Sequence, residues 1–128
     1  MNKNVKFCIC NHCGNLAGMI ENKGPKLSCC GQVMSELIAN TTEASTEKHI
    51  PVINIYNNTV NIQVGSALHP MAKEHYIGWV YLLTTKGGQR KNLDIGSNPI
   101  VQFELSEDDK VVAAYAYCNI HGLWKAEI

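Results

Sequence analysis

The chain has 128 residues, of which 45% are apolar and 17% charged, enough for one ordinary hydrophobic core or for a smaller core with a metal-stapled module. Its 11 basic and 11 acidic residues give a formal net charge of zero, which does not favour a nucleic-acid partner. No apolar run approaches the roughly 20 residues that span a bilayer, and no apolar segment follows Met1–Lys6 as an export signal requires, so the sequence predicts a cytoplasmic protein without a membrane partner.

Cysteine is concentrated at the start of the chain and histidine in the remainder. Five of the six cysteines precede residue 31, and four of the five histidines follow residue 48. An even number of cysteines can form disulfides, but clustered cysteines in a reducing cytosol more often hold metal. This asymmetry predicts a small metal-binding module over residues 1–37, a polar linker over 38–47 and a larger domain over 48–128.

The first module carries a metal-site pattern. Residues 10–14 read Cys-Asn-His-Cys-Gly and residues 29–31 read Cys-Cys-Gly. A Cys-x2-Cys turn directs two thiolates to one point, the following glycine lets the backbone fold back, and a second pair completes a tetrahedral S4 site. Spacing alone leaves zinc and iron equally open, and Cys8 is either a buried residue or a competing ligand. The four predicted ligands are Cys10, Cys13, Cys29 and Cys30.

The larger domain is predicted to be all β. Apolar residues alternate with polar ones over 60–64 and 101–105, and Tyr76–Leu83 is a nearly continuous apolar run suited to a central strand, with Trp79 in the core. Short strands separated by turns at roughly 10-residue spacing predict a β-sandwich. His69–His75 is expected to form a helical turn or a loop. The predicted turns are Asn57–Asn58, Lys86–Gln89 and Ser106–Asp109.

Histidines and one cysteine form a second candidate metal site. Cys118 and His121 have Cys-x2-His spacing, and every histidine of the domain falls in or near a turn-like segment, where side chains from different strands converge. A single histidine is more often a structural residue, so the prediction depends on the set. Four imidazoles and one thiolate suit a transition metal such as iron and leave one octahedral position open for a small molecule. The predicted ligands are His49, His69, His75, Cys118 and His121.

Together these residues resemble desulfoferrodoxin, the two-iron superoxide reductase family, over nearly the whole chain. The resemblance is carried by the following segments: Cys10-x2-Cys13-Gly14-Asn15, Cys29-Cys30-Gly31, Glu47-Lys48-His49-Ile50-Pro51, His69-Pro70-Met71, Glu74-His75 and Cys118-Asn119-Ile120-His121-Gly122-Leu123-Trp124.

The resemblance implies a desulforedoxin-like first module with an iron centre held by four cysteines, and an immunoglobulin-like β-sandwich whose catalytic iron has four equatorial histidines and Cys118 as axial ligand. It implies two iron ions per chain, one-electron reduction of superoxide to hydrogen peroxide, a rubredoxin-like or reductase electron donor, and a homodimer. The four-cysteine iron centre would store or relay electrons. Lys48 would attract the anion and hydrogen-bond the product, and Glu47 would bind the resting ferric iron.

Other functions stay open on the residues alone. The chain could be a zinc-ribbon scaffold or nucleic-acid adaptor, a two-site electron carrier, or a superoxide dismutase. Without the resemblance, Lys48 reads as a solvated surface lysine and Glu47 as an acid at the end of a linker.

Overall fold

The computed structural model describes residues 5–128. The expectation that the chain has no export signal depends on Met1–Lys6, and the first four of these residues lie outside the described part. The chain divides into two compact units, one extending to Ile38 and the other comprising Ala39–Ile128. Within residues 5–128, no helix combines the length and apolar character needed to cross a membrane.

The first unit is a small antiparallel structure. Strand β1 (Lys6–Ile9) lies between β2 (Leu16–Met19) and β5 (Ser35–Glu36), while β3 (Ser28–Cys29) pairs with β4 (Gln32–Val33). Among the described residues of this unit, the buried apolar ones are Phe7, Cys8 and Cys10. A core of this size cannot by itself offset the conformational entropy lost on folding, so the unit depends on a staple such as a bound metal.

The second unit is a sandwich of two antiparallel sheets. One sheet has the order β10-β7-β6 and the other the order β12-β11-β8-β9. A four-residue helix, α1 (Thr46–His49), precedes the first strand. The strands are β6 (Pro51–Tyr56), β7 (Thr59–Val64), β8 (Ile77–Thr84), β9 (Gly87–Asn92), β10 (Ile100–Glu104), β11 (Val111–Cys118) and β12 (Gly122–Glu127). The predicted all-β class is confirmed.

Alternation along the strands builds the sandwich core. On β7, Val60, Ile62 and Val64 are fully buried and face apolar residues of the other sheet, as period-two patterning predicts. The core also contains Ile77, Val80, Leu82, Val101, Phe103, Ala114, Ala116 and Cys118. Cys118 therefore ends a buried strand, which places its thiol at the rim of the core.

Side chains of β9 close one side of the sandwich. Gln89 Nε2 donates to the carbonyl oxygen of Glu104 at 2.8 Å, and Lys91 Nζ donates to that of Gln102 at 2.5 Å. Both acceptors belong to β10, an edge strand of the opposite sheet. These bonds satisfy edge carbonyls that would otherwise be open to pairing with another chain.

Three local predictions need correction. The turn expected at Lys86–Gln89 is at Thr85–Lys86, and the glycines that suggested it begin β9, where Gly88 leaves room for the ring of Tyr81. The last two residues of the predicted linker belong to α1, a single turn too short to give helical periodicity. Trp79 lies outside the core, because it points to the outer face of its sheet and stacks on Tyr117, with ring centroids 5.6 Å apart.

Candidate metal centres

Four thiol groups of the first unit meet at one point. The Sγ atoms of Cys10, Cys13, Cys29 and Cys30, which we call the four-cysteine group, lie within 4.8 Å of one another. The Cys13–Cys29 distance is 3.7 Å and the Cys29–Cys30 distance is 3.9 Å. Four sulfurs bound tetrahedrally at about 2.3 Å from one ion are about 3.8 Å apart. The group therefore has the dimensions of an S4 metal site.

Left-handed backbone turns bring these sulfurs together. Gly14 has a φ of 84°, and its N–H donates to the carbonyl oxygen of Cys10 at 2.9 Å. Cys30 has a φ of 54° and Gly31 a φ of 72°. Neighbouring residues of a strand point to opposite faces, so the turn at Cys30 is what directs its sulfur to the same side as that of Cys29.

The protonation of the four thiols also favours a metal. Hydrogen bonding from the Cys13 backbone N–H lowers the pKa of Cys10 to about 6. Hydrogen bonds with the thiols of Cys13 and Cys29 raise the pKa of Cys30 to about 12. One thiolate thus forms readily while Cys29 and Cys30 hold their protons more firmly, and a cation at the centre favours ionisation of the group. Cys8 is buried on β1 and is outside this group.

Loops and strand ends of the sandwich carry the second group, which we call the histidine–cysteine site. His49 ends α1, and His69 and His75 lie in the loop between β7 and β8. Cys118 ends β11, and His121 lies in the turn between β11 and β12. The ligand atoms of His49, His75, Cys118 and His121 lie within 4.8 Å of one another. The Nε2 atom of His69 lies 3.2 Å from that of His49. All five predicted residues therefore meet at one end of the sandwich.

The four imidazoles are arranged as a square. Adjacent rings are nearly perpendicular, with angles of 77°, 80°, 79° and 82° around the cycle His49, His69, His75 and His121, while His49 and His75 face each other across it at 34°. The His49 Nε2 atom lies 3.1 Å from His121 Nδ1. Four nitrogens at about 2.1 Å from one ion in a plane are about 3.0 Å from their neighbours. The square therefore fits a transition metal.

Backbone carbonyls hold two of these rings in one orientation. His49 Nδ1 lies 2.6 Å from the carbonyl oxygen of Ser45, and His69 Nδ1 lies 2.7 Å from that of Pro70. When Nδ1 carries the proton and donates it to a carbonyl, Nε2 is left as an unprotonated ligand. The backbone thus selects the tautomer in which both Nε2 atoms can bind a metal.

One nitrogen of the square has no hydrogen-bond partner in the described part of the chain. Among the described residues, His75 Nε2 is the one buried side-chain nitrogen or oxygen without a hydrogen-bond partner. Burial lowers the pKa of His69 to about 4, and it also lowers the pKa of His49 and of His75. Neutral imidazoles facing one another, with one nitrogen unpaired, are suited to a cation.

The thiol of Cys118 lies close to this arrangement. It is fully buried, its Sγ atom lies 3.9 Å from His121 Nδ1, and it accepts the backbone N–H of His121 at 3.4 Å. A buried thiolate with an N–H donor is a soft ligand whose electron donation the hydrogen bond moderates.

Glu47 and Lys48 are exposed and precede His49 directly. Burial is the main cause that lowers the pKa of His49 and of His75, and the positive charge of Lys48 makes a smaller contribution in the same direction. The ammonium group of Lys48 therefore acts electrostatically on the square. The loop after β7 holds this segment in place, because Ala67 N–H and the Ser66 hydroxyl donate to the carbonyl oxygen of Glu47 at 3.1 and 3.2 Å.

Sequence reasoning missed the roles of two asparagines. Asn119 bonds to the backbone on both sides of His75, and Asn15 points its amide at Cys29. Trp124, which ends the last of the quoted motifs, packs on His49. Both asparagines lie within or beside the metal-binding motifs, and this position is the one feature of the sequence that could have indicated a supporting role. Their partners are distant in the chain, so only the fold reveals the contacts.

Known proteins resemble this chain over most or all of its length. The desulfoferrodoxin family model matches residues 41–127. The chain is 41% identical over 118 residues to a desulfoferrodoxin of Nitratidesulfovibrio vulgaris, covering 92% of each protein, and 35% identical over 128 residues to that of Clostridium acetobutylicum, covering 100% of both. The crystal structure of the superoxide reductase from Treponema pallidum matches with a TM-score of 0.83 and 38% identity, covering 98% of this chain and 100% of that one.

These findings confirm the predicted resemblance, the fold class and the pair of metal-binding sites, because the four-cysteine group and the histidine–cysteine site are consistent with the iron centres of desulfoferrodoxin. The chain belongs to the desulfoferrodoxin family.

Proposed function

We propose that this protein is a superoxide reductase, which reduces superoxide by one electron to hydrogen peroxide and releases no oxygen. The observation that carries the proposal is the square of four imidazoles beside a buried thiol, with the orphaned Nε2 of His75 on one of its rings. Four nitrogens and one sulfur leave one coordination position for a small anion. The names of similar proteins, which include superoxide reductases, agree with this reading.

In this proposal His49, His69, His75, His121 and Cys118 hold the catalytic iron, which when ferrous supplies the electron that superoxide takes up. The chain fixes the ligand geometry before the substrate arrives, because two rings are locked to carbonyls and the thiol lies at the end of a buried strand. Preorganisation of this kind avoids rearrangement during the reaction. Burial of the thiol also keeps competing reactants away from the sulfur.

Lys48 is proposed to attract superoxide and to hydrogen-bond the reduced product. Lys48 is exposed, and its positive charge adds to the effect of burial in lowering the pKa of His49 and His75. Its electrostatic field therefore reaches the imidazole square, where the anion would bind. Glu47 is proposed to be a further ligand, whose carboxylate would bind the iron in its resting ferric state. Both residues belong to one helical turn, which the Ser66–Ala67 loop anchors.

The four-cysteine group is proposed to hold a second iron that stores or relays electrons. All four of its sulfurs are committed to the ion, so no position is open for a substrate. We further propose that residues 1–37 act as this relay and residues 48–128 as the catalytic domain, in a cytoplasmic homodimer supplied by a rubredoxin-like carrier or a reductase. The six cysteines are free thiols, as a reducing compartment would keep them.

The test is the stoichiometry of the reaction. The reduced, iron-replete protein is mixed anaerobically with superoxide, and hydrogen peroxide and oxygen are both measured. The proposal requires one peroxide for each superoxide consumed and no oxygen. A dismutase would give one peroxide and one oxygen for two superoxides, and a scaffold or a simple electron carrier would react slowly or not at all.

A further inference from the structure

We propose that Asn119 is a positioning residue, which joins the loop carrying His75 to the turn carrying Cys118 and His121. This role rests on the ligand set of the proposed function and adds to it a residue that does not contact the metal. The chain places Asn119 directly after Cys118, and the side chain reaches the neighbouring loop instead of the site.

Three hydrogen bonds connect Asn119 to the residues on either side of His75. The Oδ1 atom of Asn119 accepts the backbone N–H of Tyr76 at 2.9 Å, and Nδ2 donates to the carbonyl oxygen of Glu74 at 3.1 Å. The backbone N–H of Asn119 donates to the carbonyl oxygen of Tyr76 at 3.2 Å. The carboxamide uses both its acceptor and its donor, and aspartate at neutral pH has no donor to offer.

These bonds begin where the strand pairing ends. Strands β8 and β11 pair as far as Ile77 and Cys118, with a register irregularity at the last step. Beyond that step Asn119 continues the connection with its side chain. His75 lies in the loop before β8, two residues from the start of that strand. There Ala72 and His75 exchange two backbone N–H to carbonyl hydrogen bonds, at 3.0 and 3.1 Å, which close a small turn. Asn119 therefore links this small turn to the rigid sheet.

His75 depends on its backbone more than two of the other imidazoles do. The rings of His49 and His69 are fixed through Nδ1 bonds to carbonyl oxygens, whereas the contacts that place His75 run through the residues beside it. Its Nε2 atom is the buried nitrogen that lacks a partner among the described residues. Loosening the backbone at Glu74 and Tyr76 would let this one corner of the square move away from the thiol.

The consequence expected from Asn119→Ala is weaker retention of iron at the histidine–cysteine site. Residues that orient metal ligands typically change metal affinity by about 10–100-fold when they are removed. Asn119→Asp keeps the acceptor for Tyr76 N–H but sets a carboxylate against the Glu74 carbonyl, so we expect a smaller loss. Gln89→Ala is the matched control, because Gln89 also donates an amide N–H to a backbone carbonyl, but on β9.

The experiment uses the full-length, iron-replete protein and two readouts. Hydrogen exchange of the Tyr76 amide reports the contact itself, and the rate at which a ferrous chelator removes iron from the histidine–cysteine site reports its effect. The visible bands of the four-cysteine group serve as an internal control. We expect Asn119→Ala to expose the Tyr76 amide and to release iron about 10–100-fold faster, Asn119→Asp to lie between it and the unmodified protein, and Gln89→Ala to match the unmodified protein.

Iron release at the unmodified rate in Asn119→Ala, with the Tyr76 amide exposed, would overturn the role. If Asn119→Ala does not fold, Asn119→Asp decides, and an unchanged release rate in that variant contradicts the role equally. Failure of the ligand set looks different, because the unmodified protein would then show no iron with nitrogen and sulfur ligands. Failure of the proposed reaction alone would appear in the unmodified protein as oxygen release or slow consumption of superoxide, whatever the iron-release rates of the variants. Both are therefore distinguishable from failure of the role of Asn119.

Discussion

The indole of Trp124 lies against the imidazole of His49, with ring centroids 4.7 Å apart and ring planes inclined by 30°. The same indole donates its Nε1–H to the carbonyl oxygen of His121 at 3.1 Å. Trp124 is almost fully buried. One side chain of β12 thus supports two adjacent corners of the imidazole square.

Trp124→Phe is expected to keep part of the ring packing and to lose the hydrogen bond to His121. The free energy of unfolding of the metal-free protein should fall by about 1–3 kcal/mol, from the unpaired carbonyl and the smaller ring, and iron should leave the site faster. Urea denaturation and chelator kinetics measure the two effects. Trp79→Phe, a change on the outer face of the same sheet, should leave iron release unaltered. Equal iron release in both variants would contradict the supporting role.

Gly65→Ala is expected to disturb the Glu47–Lys48 segment. Gly65 has a φ of 85°, and a Cβ there would overlap the carbonyl oxygen of Ala67 and lie 2.7 and 2.8 Å from those of Lys48 and Glu47. The left-handed backbone costs an alanine about 1–2 kcal/mol, and the overlap adds about 1–3 kcal/mol.

Gly96→Ala is the matched control for that change. Gly96 has a φ of 90° with nothing within 4 Å of an added Cβ, so it incurs the backbone cost alone. Unfolding of both variants in urea gives the difference, and superoxide kinetics show whether the displaced segment matters. Equal destabilisation by the two alanines would show that the close approach of Gly65 to Glu47 and Lys48 has no energetic weight.

Much of the fold could be predicted because its local patterns agree with its packing. Alternation over 60–64 marks β7, and Asn57–Asn58 forms the turn between β6 and β7. The two sets of candidate ligands could be predicted because thiols and imidazoles are rare enough for their spacing to be informative. Ligand spacing left the identity of the metal in the first site open, and the resemblance to a known family then indicated iron at both sites.

The supporting contacts could not be predicted, because they join residues far apart in the chain. Asn119 is bonded to Glu74, 45 residues away, and no periodicity encodes such a pair. Trp79 was misplaced for a related reason. A continuous apolar run does not state which residues face the core, and the outer face of this sheet carries its own aromatic layer, in which Trp79 stacks on Tyr117.

Asn15 is expected to raise the reduction potential of the four-cysteine group when it holds iron. Its Nδ2 atom points at the Sγ atom of Cys29 from 3.7 Å, and N–H donors to cluster sulfurs stabilise the more negative reduced state. In Asn15→Ala the centre should be about tenfold harder to reduce at a fixed potential, equivalent to about 59 mV for one electron. Redox titration of the visible bands measures the shift. Asn11→Ala, which removes an amide bonded to Ser35, should not change the potential, and equal shifts in the two variants would refute the assignment.

Lys48→Ala is expected to slow the association of superoxide by about tenfold at low salt and to flatten its dependence on ionic strength. The reason is the loss of a positive charge beside the imidazole square. Pulse radiolysis at several salt concentrations measures both quantities. Lys110→Ala removes an equal charge next to the start of β11, the strand whose far end is Cys118. If both variants react alike, Lys48 has no special place in the reaction.

Asp109 is expected to stabilise the β8–β9 turn in its ionised form. Its carboxylate accepts the Thr85 hydroxyl at 2.8 Å and the Lys86 and Lys110 N–H groups at 3.1 and 2.9 Å. Burial opposes ionisation, but the hydrogen bonds outweigh it and lower the pKa of Asp109 below its ordinary 3.8. A lowered pKa gives stability above the unfolded value that is lost as the pH falls through the folded one.

Asp109→Asn should therefore be less stable than the unmodified protein at neutral pH, with a difference that narrows below pH about 4. Thermal unfolding of the metal-free proteins at several pH values measures it. A difference that stays constant down to pH about 3 would mean that the shape of the side chain matters and its charge does not.

Both metal centres are tested by the visible spectrum of the purified protein, as isolated and after oxidation, with iron and zinc quantified on the same sample. We expect about two irons per chain, the bands of ferric iron in the four-cysteine group, and a broad thiolate-to-iron band toward the red that appears on oxidation and marks the bond to Cys118. A colourless protein that contains zinc, and in which ferrous iron restores neither chromophore, would contradict the assignment of both centres to iron.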